Sequence, residues 1–183
     1  MDQKQLEQCI KEYGKEIYAF CSQMTCNTQE AEDLYQDTFL KAVEFGNRID
    51  YAQNPKSYLV SIALRIWKNR KRKYAWRNRI VGMVQLVEET ATDLEQTEGI
   101  MPGTDTNPVE KAYLEKERRC QVREAVAKLD EKYRIPVYLY YTVQLSVADI
   151  AEVMKLPTAT VKNRLHRARK LLKKELEVVL DET

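Results

Sequence analysis

The chain has 183 residues, 44% hydrophobic and 32% charged, with 5 Gly, 5 Pro and a formal net charge of +2. That length suits one domain or two small ones, and low Gly and Pro with abundant Leu, Glu, Lys and Arg predict an all-α protein. No apolar run approaches the roughly 18 residues a membrane helix needs, and the N-terminus MDQKQLEQCIKEYGKE lacks the apolar core of a secretory signal. Helical spacing begins at once, with Leu6, Ile10, Tyr13, Ile17, Phe20, Cys21 and Met24 on one face of a segment over 3–27. Thr28 then reads as an N-cap whose hydroxyl accepts from the Ala31 N–H, opening a helix over 29–45 with acids in its first turn. Leu34, Phe39, Leu40 and Val43 are its candidates for the core, and Gly46-Asn47 ends it. After a loop over 47–55, a helix over 56–78 carries the stripe Tyr58, Leu59, Ile62, Ala63, Ile66 and Trp67, which gives way to RKRK.

Residues 82–107 contain Gly82, Gly99, Pro102 and Gly103 with little periodicity, so they read as a flexible acidic linker between domains 1–81 and 108–183. Beyond it, 108–129 is helical, Arg134–Val143 (RIPVYLYYTV) is an aromatic-rich buried helix, and Ser146 with Asp149 forms a capping box for a helix over 147–154. Lys155-Leu156-Pro157 is a tight turn, and Thr158 caps a last helix over 159–178. The expected architecture is therefore all-α: two small helical domains joined by that linker, the second containing a helix-turn-helix.

Charge is strongly segregated. Tyr51 to Val87 holds nine Lys/Arg and no acid, and Lys155 to Lys174 holds eight with none. Between them, Val81 to Glu110 holds seven acids and no base. Two acid-free blocks point to a polyanionic partner. In the helix-turn-helix, Ile150, Ala151, Val153, Leu156, Val161 and Leu165 supply the crossing contacts. The outer face of the second helix presents Thr158, Thr160, Lys162, Asn163, His166, Arg167 and Lys170. Polar groups at its N-terminal end can reach base edges in a major groove, while the flanking cations meet phosphates. In the other block, Trp67, Tyr74 and Trp76 interleave with Arg65, Lys68, Arg70, Lys71, Arg72, Lys73, Arg77 and Arg79, a composition suited to unstacked bases. Trp67 is assigned to the core and the cations to phosphate.

Chemistry finds no support. His166 is the only histidine and sits among cations, so neither a hydrolytic triad nor a zinc site is expected, and no Gly-rich phosphate loop is present. The four cysteines, Cys9, Cys21, Cys26 and Cys120, include no CxxC pair. They read as reduced thiols of a cytoplasmic protein, a redox role for Cys21 and Cys26 being the alternative. No cofactor, metal, small-molecule substrate, membrane insertion or catalytic residue is predicted.

Three stretches together resemble the extracytoplasmic-function (ECF) sigma factors of bacterial RNA polymerase. EAEDLYQDTFLKAVEF is similar to the family's region-two motif of the type DAEDLVQETFLRAW, and NPKSYLVSIALRIWKNRKRK to the type NPRAWLYRIARNLAIDYLRR. The segment from NPVEKAY to RARKLLKKEL resembles region four throughout. The resemblance implies that Glu32, Asp33, Gln36 and Asp37 dock on the β′ clamp of core polymerase, with region four meeting the β flap. It implies that Asp50, Tyr51, Asn54, Arg65, Lys68, Asn69, Arg72 and Lys73 engage the −10 element, where an extruded base is read. Thr158, Thr160, Lys162, Asn163, His166 and Arg167 would read the −35 duplex, and an anti-sigma factor would regulate the chain. Departures are visible: Tyr58, Arg65 and Asn69 replace the pattern's Trp, Asn and Asp, Gln144 and Lys155 stand where it has Gly, and Pro157 where it has Ser. The competing reading is a freestanding helix-turn-helix regulator that binds DNA without polymerase. The acidic helix speaks against it, because an operator-binding dimer has no need of one.

Overall fold

In the computed structural model, which describes residues 3–25, 27–45, 54–81 and 108–181, every regular element is a helix. α1 (Gln3–Met24), α2 (Thr28–Glu44) and α3 (Pro55–Val81) form one bundle. α4 (Pro108–Lys128), α5 (Glu131–Val137), a π-helical segment (Tyr138–Thr142), α6 (Val147–Met154) and α7 (Thr158–Asp181) form the second unit. The expected linker over 82–107, Gly46-Asn47, Asp50, Tyr51 and Cys26 lie outside the described residues.

Helix starts follow side-chain capping, with two corrections to the sequence reading. Asn27, not Thr28, caps α2: its backbone is extended and its Oδ1 accepts from the Glu30 N–H at 2.7 Å. Asn is at least as good a cap as Thr, and the shift leaves Thr28 as the first helical residue. Likewise Thr158 is the first residue of α7 rather than its cap, because the Pro157 carbonyl accepts the Thr160 and Val161 N–H groups. The Ser146–Asp149 capping box of α6 forms as expected. α3 begins with Pro55, whose missing N–H costs nothing at a first helical position, and Asn54 caps it through Oδ1 to the Ser57 N–H at 3.1 Å.

The segment 134–143 is not one α-helix. α5 contains Pro136, whose ring cannot donate to the preceding turn, and the chain then widens into the π-helical segment. It closes with the Leu145 N–H on the Leu139 carbonyl and Gln144 in the left-handed region at φ 58°. α6 ends in a Schellman arrangement: Lys155 is left-handed at φ 54°, its N–H meets the Glu152 carbonyl, and the Leu156 N–H meets that of Ala151.

In the first bundle, Ile17, Phe20 and Cys21 of α1 meet Leu34 and Ala42 of α2 and Leu59 and Ala63 of α3. Cys9 lies in this core where Ile10 was expected, and Ile10 faces solvent. α3 also buries Val60 and Leu64, outside the predicted stripe, because α1 and α2 pack on one side of it and α6 on the other. A wider apolar arc is what a helix between two layers needs. In the second unit, Ile135, Leu139, Val143, Ile150, Val161, Leu165 and Ala168 fill the core, with Lys128 of α4 paired to Glu175 of α7 at 2.9 Å. One cluster of buried apolar side chains spans both units.

Candidate nucleic-acid interface

The second helix of the helix-turn-helix divides its faces at helical spacing. Val161, Leu165 and Ala168 are buried, and this fixes α7 in place against α5 and α6. Lys162, Asn163, His166 and Arg167 lie on the opposite side and are exposed, as is Thr158; Thr160 is half-buried. The exposed row is continuous with Lys170 toward the C-terminal end. At the root of this surface the Arg169 Nε donates to the Tyr141 hydroxyl at 3.0 Å, anchoring α7 to the π-helical segment. All six predicted −35 residues therefore share one end of one helix.

The cationic half of α3 has a different design. Arg65, Lys68, Asn69, Arg72 and Lys73 are exposed, and Asn54 is half-buried at the helix start. The aromatics sort as expected for Trp67, which is 9% exposed with the Lys71 ammonium 5.3 Å from its ring centroid. Tyr74 and Trp76, by contrast, are 67% and 65% exposed amid the cations. Large rings left in water beside phosphate-seeking side chains are what base stacking uses, so these two join the candidate set. Their signal was in the sequence, as an aromatic–cation alternation past the end of the apolar stripe.

On α2, Glu32, Asp33 and Gln36 are exposed and Asp37 is half-buried. The four acids and amides are not equivalent. Asp33 accepts from the Gln29 amide at 3.2 Å within the helix, whereas Asp37 receives the Arg70 Nη2 of α3 at 2.6 Å. The same guanidinium donates to the Asp33 carbonyl at 3.2 Å, so Arg70 staples α3 to α2. Two core expectations fail here: Leu40 and Val43 are 61% and 42% exposed, while Ala31, Leu34, Thr38, Phe39 and Ala42 turn inward. The reason is angular. Asp33, Gln36, Leu40 and Val43 recur at three and four residues and form their own stripe, opposite the one α1 and α3 cover. The exposed face of α2 is thus acidic at one end and apolar at the other.

The cysteines divide cleanly. Cys9 and Cys21 are buried and Cys120 is exposed. Burial pushes the Cys21 thiol up to about 12, against the opposing pull of Arg70, so it is held as an unreactive thiol. Among the described residues no cluster of His, Cys, Asp and Glu could hold a metal ion, and no helix is long and apolar enough to cross a membrane.

The family model for sigma-70 region 2 matches residues 9–77 and that for sigma-70, region 4 matches residues 121–172. The ECF RNA polymerase sigma factor SigW of Bacillus subtilis is 30% identical over 179 residues, 96% of this chain and 90% of that protein. The chain belongs to the ECF sigma factors. The RNA polymerase sigma-H factor of Pseudomonas aeruginosa is 28% identical over 185 residues, covering 99% of this chain and 91% of its own. Among solved structures, the sigma factor RpoE in complex with the anti-sigma factor NepR from Bartonella quintana shares the fold at a TM-score of 0.71 and 23% identity, over 96% of this chain and 98% of that one. CnrH in complex with the cytosolic domain of CnrY does so at 0.64 and 20%, over 97% and 90%. As a sigma factor, the chain binds core RNA polymerase and directs promoter recognition in transcription initiation; sigma factors are DNA-binding regulators rather than enzymes.

Proposed function

We propose that this sigma factor divides its labour by unit: residues 1–81 act as region 2, docking on core polymerase and engaging the −10 element, and 108–183 act as region 4, reading the −35 duplex. The observation that carries this is the outward row Lys162, Asn163, His166 and Arg167 on a helix whose other face is locked into the core. Thr158 and Thr160 extend the row toward the helix start, where side chains enter a major groove. Asn54, Arg65, Lys68, Asn69, Arg72 and Lys73, joined by the exposed Tyr74 and Trp76, form the single-strand surface, to which Asp50 and Tyr51, just before α3 in the sequence, also belong. Arg and Lys bind phosphate while rings accept the unstacked bases.

Glu32, Asp33 and Gln36 meet the β′ clamp, with Leu40 and Val43 extending the contact, and Asp37 orients the face through Arg70. Region 4 meets the β flap. Because RpoE was solved with an anti-sigma factor and CnrH with the cytosolic domain of CnrY, an anti-sigma factor is proposed for this chain also, covering the docking stripe of α2. Working on core polymerase places the protein in the cytoplasm, and no step makes or breaks a covalent bond on a side chain of the chain itself.

The test is in vitro transcription with core polymerase, with and without the chain. Promoter-dependent RNA made only in its presence is the expected result. DNA binding that is complete without polymerase, with no transcript, would instead favour the freestanding regulator.

A further inference from the structure

Several cations tie one helix to another by ending on a carboxylate: Lys56 on Glu16, Arg70 on Asp37, Lys71 on Glu131 and Lys128 on Glu175. Such a pair joins two elements and cancels its own charge. The links from Asn54 Nδ2 to Asp149 Oδ1 at 3.1 Å and from the Thr142 hydroxyl to Gln23 Oε1 at 2.8 Å involve no cation. Arg134 and Arg169 differ from both kinds, because each guanidinium reaches a neutral oxygen. Arg134 is half-buried and gives Nη1 to the Ala127 carbonyl at 2.7 Å, where the last carbonyls of α4 call for a cation. Arg169 is exposed, and no helix end accounts for it.

Two tyrosines hold Arg169. Its Nε donates to the Tyr141 hydroxyl at 3.0 Å, and its guanidinium carbon lies 5.8 Å from the Tyr140 ring centroid. The two rings meet edge to face, with centroids 4.9 Å apart and planes at 79°. One ring thus offers its face and the other its oxygen to the same side chain, which fixes the guanidinium plane. Among the described residues no carboxylate is paired with Arg169, so its charge stays uncompensated. Both Nη groups, which carry the fork suited to a phosphate, remain for an acceptor. The Tyr141 hydroxyl accepts from Nε and keeps its own proton to donate. Arg169 stands seven residues beyond Lys162 on the same stripe of α7, about 10.5 Å at about 1.5 Å per residue. That stripe borders the buried Leu165 and Ala168, on the flank of the outward row. A helix lying in a groove about 12 Å wide turns its flanks to the phosphates.

We propose that Tyr141 and Arg169 form a phosphate-binding pair beside the −35 row. Tyr141 is the positioning residue: it holds the guanidinium toward the backbone of the promoter duplex without neutralising it, and adds its hydroxyl proton to the contact. The pair extends the DNA surface from α7 onto the π-helical segment. It rests on the reading of residues 108–183 as region 4.

Core polymerase reconstituted with the full chain is titrated onto a duplex promoter fragment that it transcribes, between about 50 and 200 mM salt. Tyr141→Glu is the decisive variant, since a carboxylate there still holds Arg169 but cancels its charge. The melting temperature should stay level or rise, while affinity falls about fivefold or more and the log–log salt slope falls by about one. Arg169→Ala should lower the slope equally, and carries the test if Tyr141→Glu loses helix content by circular dichroism. Tyr141→Phe keeps both rings and the charge, so it should weaken binding about threefold or more with little change of slope. Unchanged slopes for Tyr141→Glu and Arg169→Ala would overturn the proposal and leave Arg169 a staple, whatever the melting temperatures. Full affinity in Tyr141→Phe would overturn the positioning role. Arg167→Ala in the same assay separates the two readings. If it weakens binding and the pair does not, the pair alone falls; if it too has no effect, the region 4 reading falls and the pair with it.

Discussion

Gln144 and Lys155 are the described non-glycine residues with positive φ, at 58° and 54°, and both stand where the family pattern has glycine. A left-handed L-residue carries its Cβ too close to the following carbonyl, a strain of about 1–2 kcal/mol. Glycine removes it but enlarges the unfolded ensemble by about 0.4–1 kcal/mol. Gln144→Gly and Lys155→Gly should therefore each stabilise the fold by about 0.5–1 kcal/mol. The backbone bonds that hold both turns, Leu145 N–H to Leu139 and Leu156 N–H to Ala151, involve no side chain of either residue and survive the change. The positions flank α6, 8 residues long and so about 12 Å, far enough for near-additive effects. For a chain of this size about 1 kcal/mol moves Tm by about 2–4 °C, so the double variant should melt about 3–6 °C higher. Urea titration should show a raised midpoint at unchanged slope. Lys155→Val is the opposing control, since a β-branched side chain tolerates φ near 54° least and should lower stability by more than 1 kcal/mol, roughly. A glycine variant that melts at or below the parent would show that the left-handed turns are not strained as argued.

Four further outcomes follow from the sites. Cys21 is protonated more tightly folded than unfolded, so its contribution is complete below about pH 9 and is lost as pH rises from there toward about 12. The loss by pH 10 amounts to about 1.4 kcal/mol; Cys21→Ala, measured by urea unfolding at pH 8 and 10, should flatten that alkaline fall, and an unchanged slope would remove Cys21 from its causes. Asp33→Lys should weaken core-polymerase binding at least tenfold without loss of stability. The exchange Asp37→Arg with Arg70→Asp should keep α2 joined to α3, so a normal melt with impaired docking would separate the two uses of that face. On α7, Arg167→Ala should lower affinity for the cognate −35 duplex by about 1–3 kcal/mol and relax discrimination, whereas Lys170→Ala should weaken all duplexes alike and reduce the salt slope by about one.

The sequence made the helices and the recognition row legible because both depend on short-range regularity. Ser146 and Asp149 sit three apart in a capping box, and Val161, Leu165 and Ala168 set one face of α7 against Lys162, Asn163, His166 and Arg167. It misled where several residues satisfy the same rule. Asn27 and Thr28 are both competent caps, and only the backbone geometry at Asn27 decides between them. Leu40 and Val43 are apolar at core-compatible spacing, but α2 has two such stripes and α1 and α3 cover only one. The π-helical segment arises from Pro136 together with packing on α1, and local propensity carries no sign of the latter. Least legible of all was the link from Asn54 to Asp149, 95 residues apart, because each side chain already has a complete local role as a cap.

That double use sets how the two units hold together. Lys71 and Glu131 are both substantially exposed, and such pairs contribute about 0–1 kcal/mol. The Asn54 and Thr142 bonds are partly buried and give about 0.5–1.5 kcal/mol each. The polar part of the contact thus totals a few kcal/mol, and the cluster of buried apolar side chains that spans both units adds to it. Losing the Asn54–Asp149 bond leaves both helix starts capped, because each side chain keeps its other oxygen on its own helix.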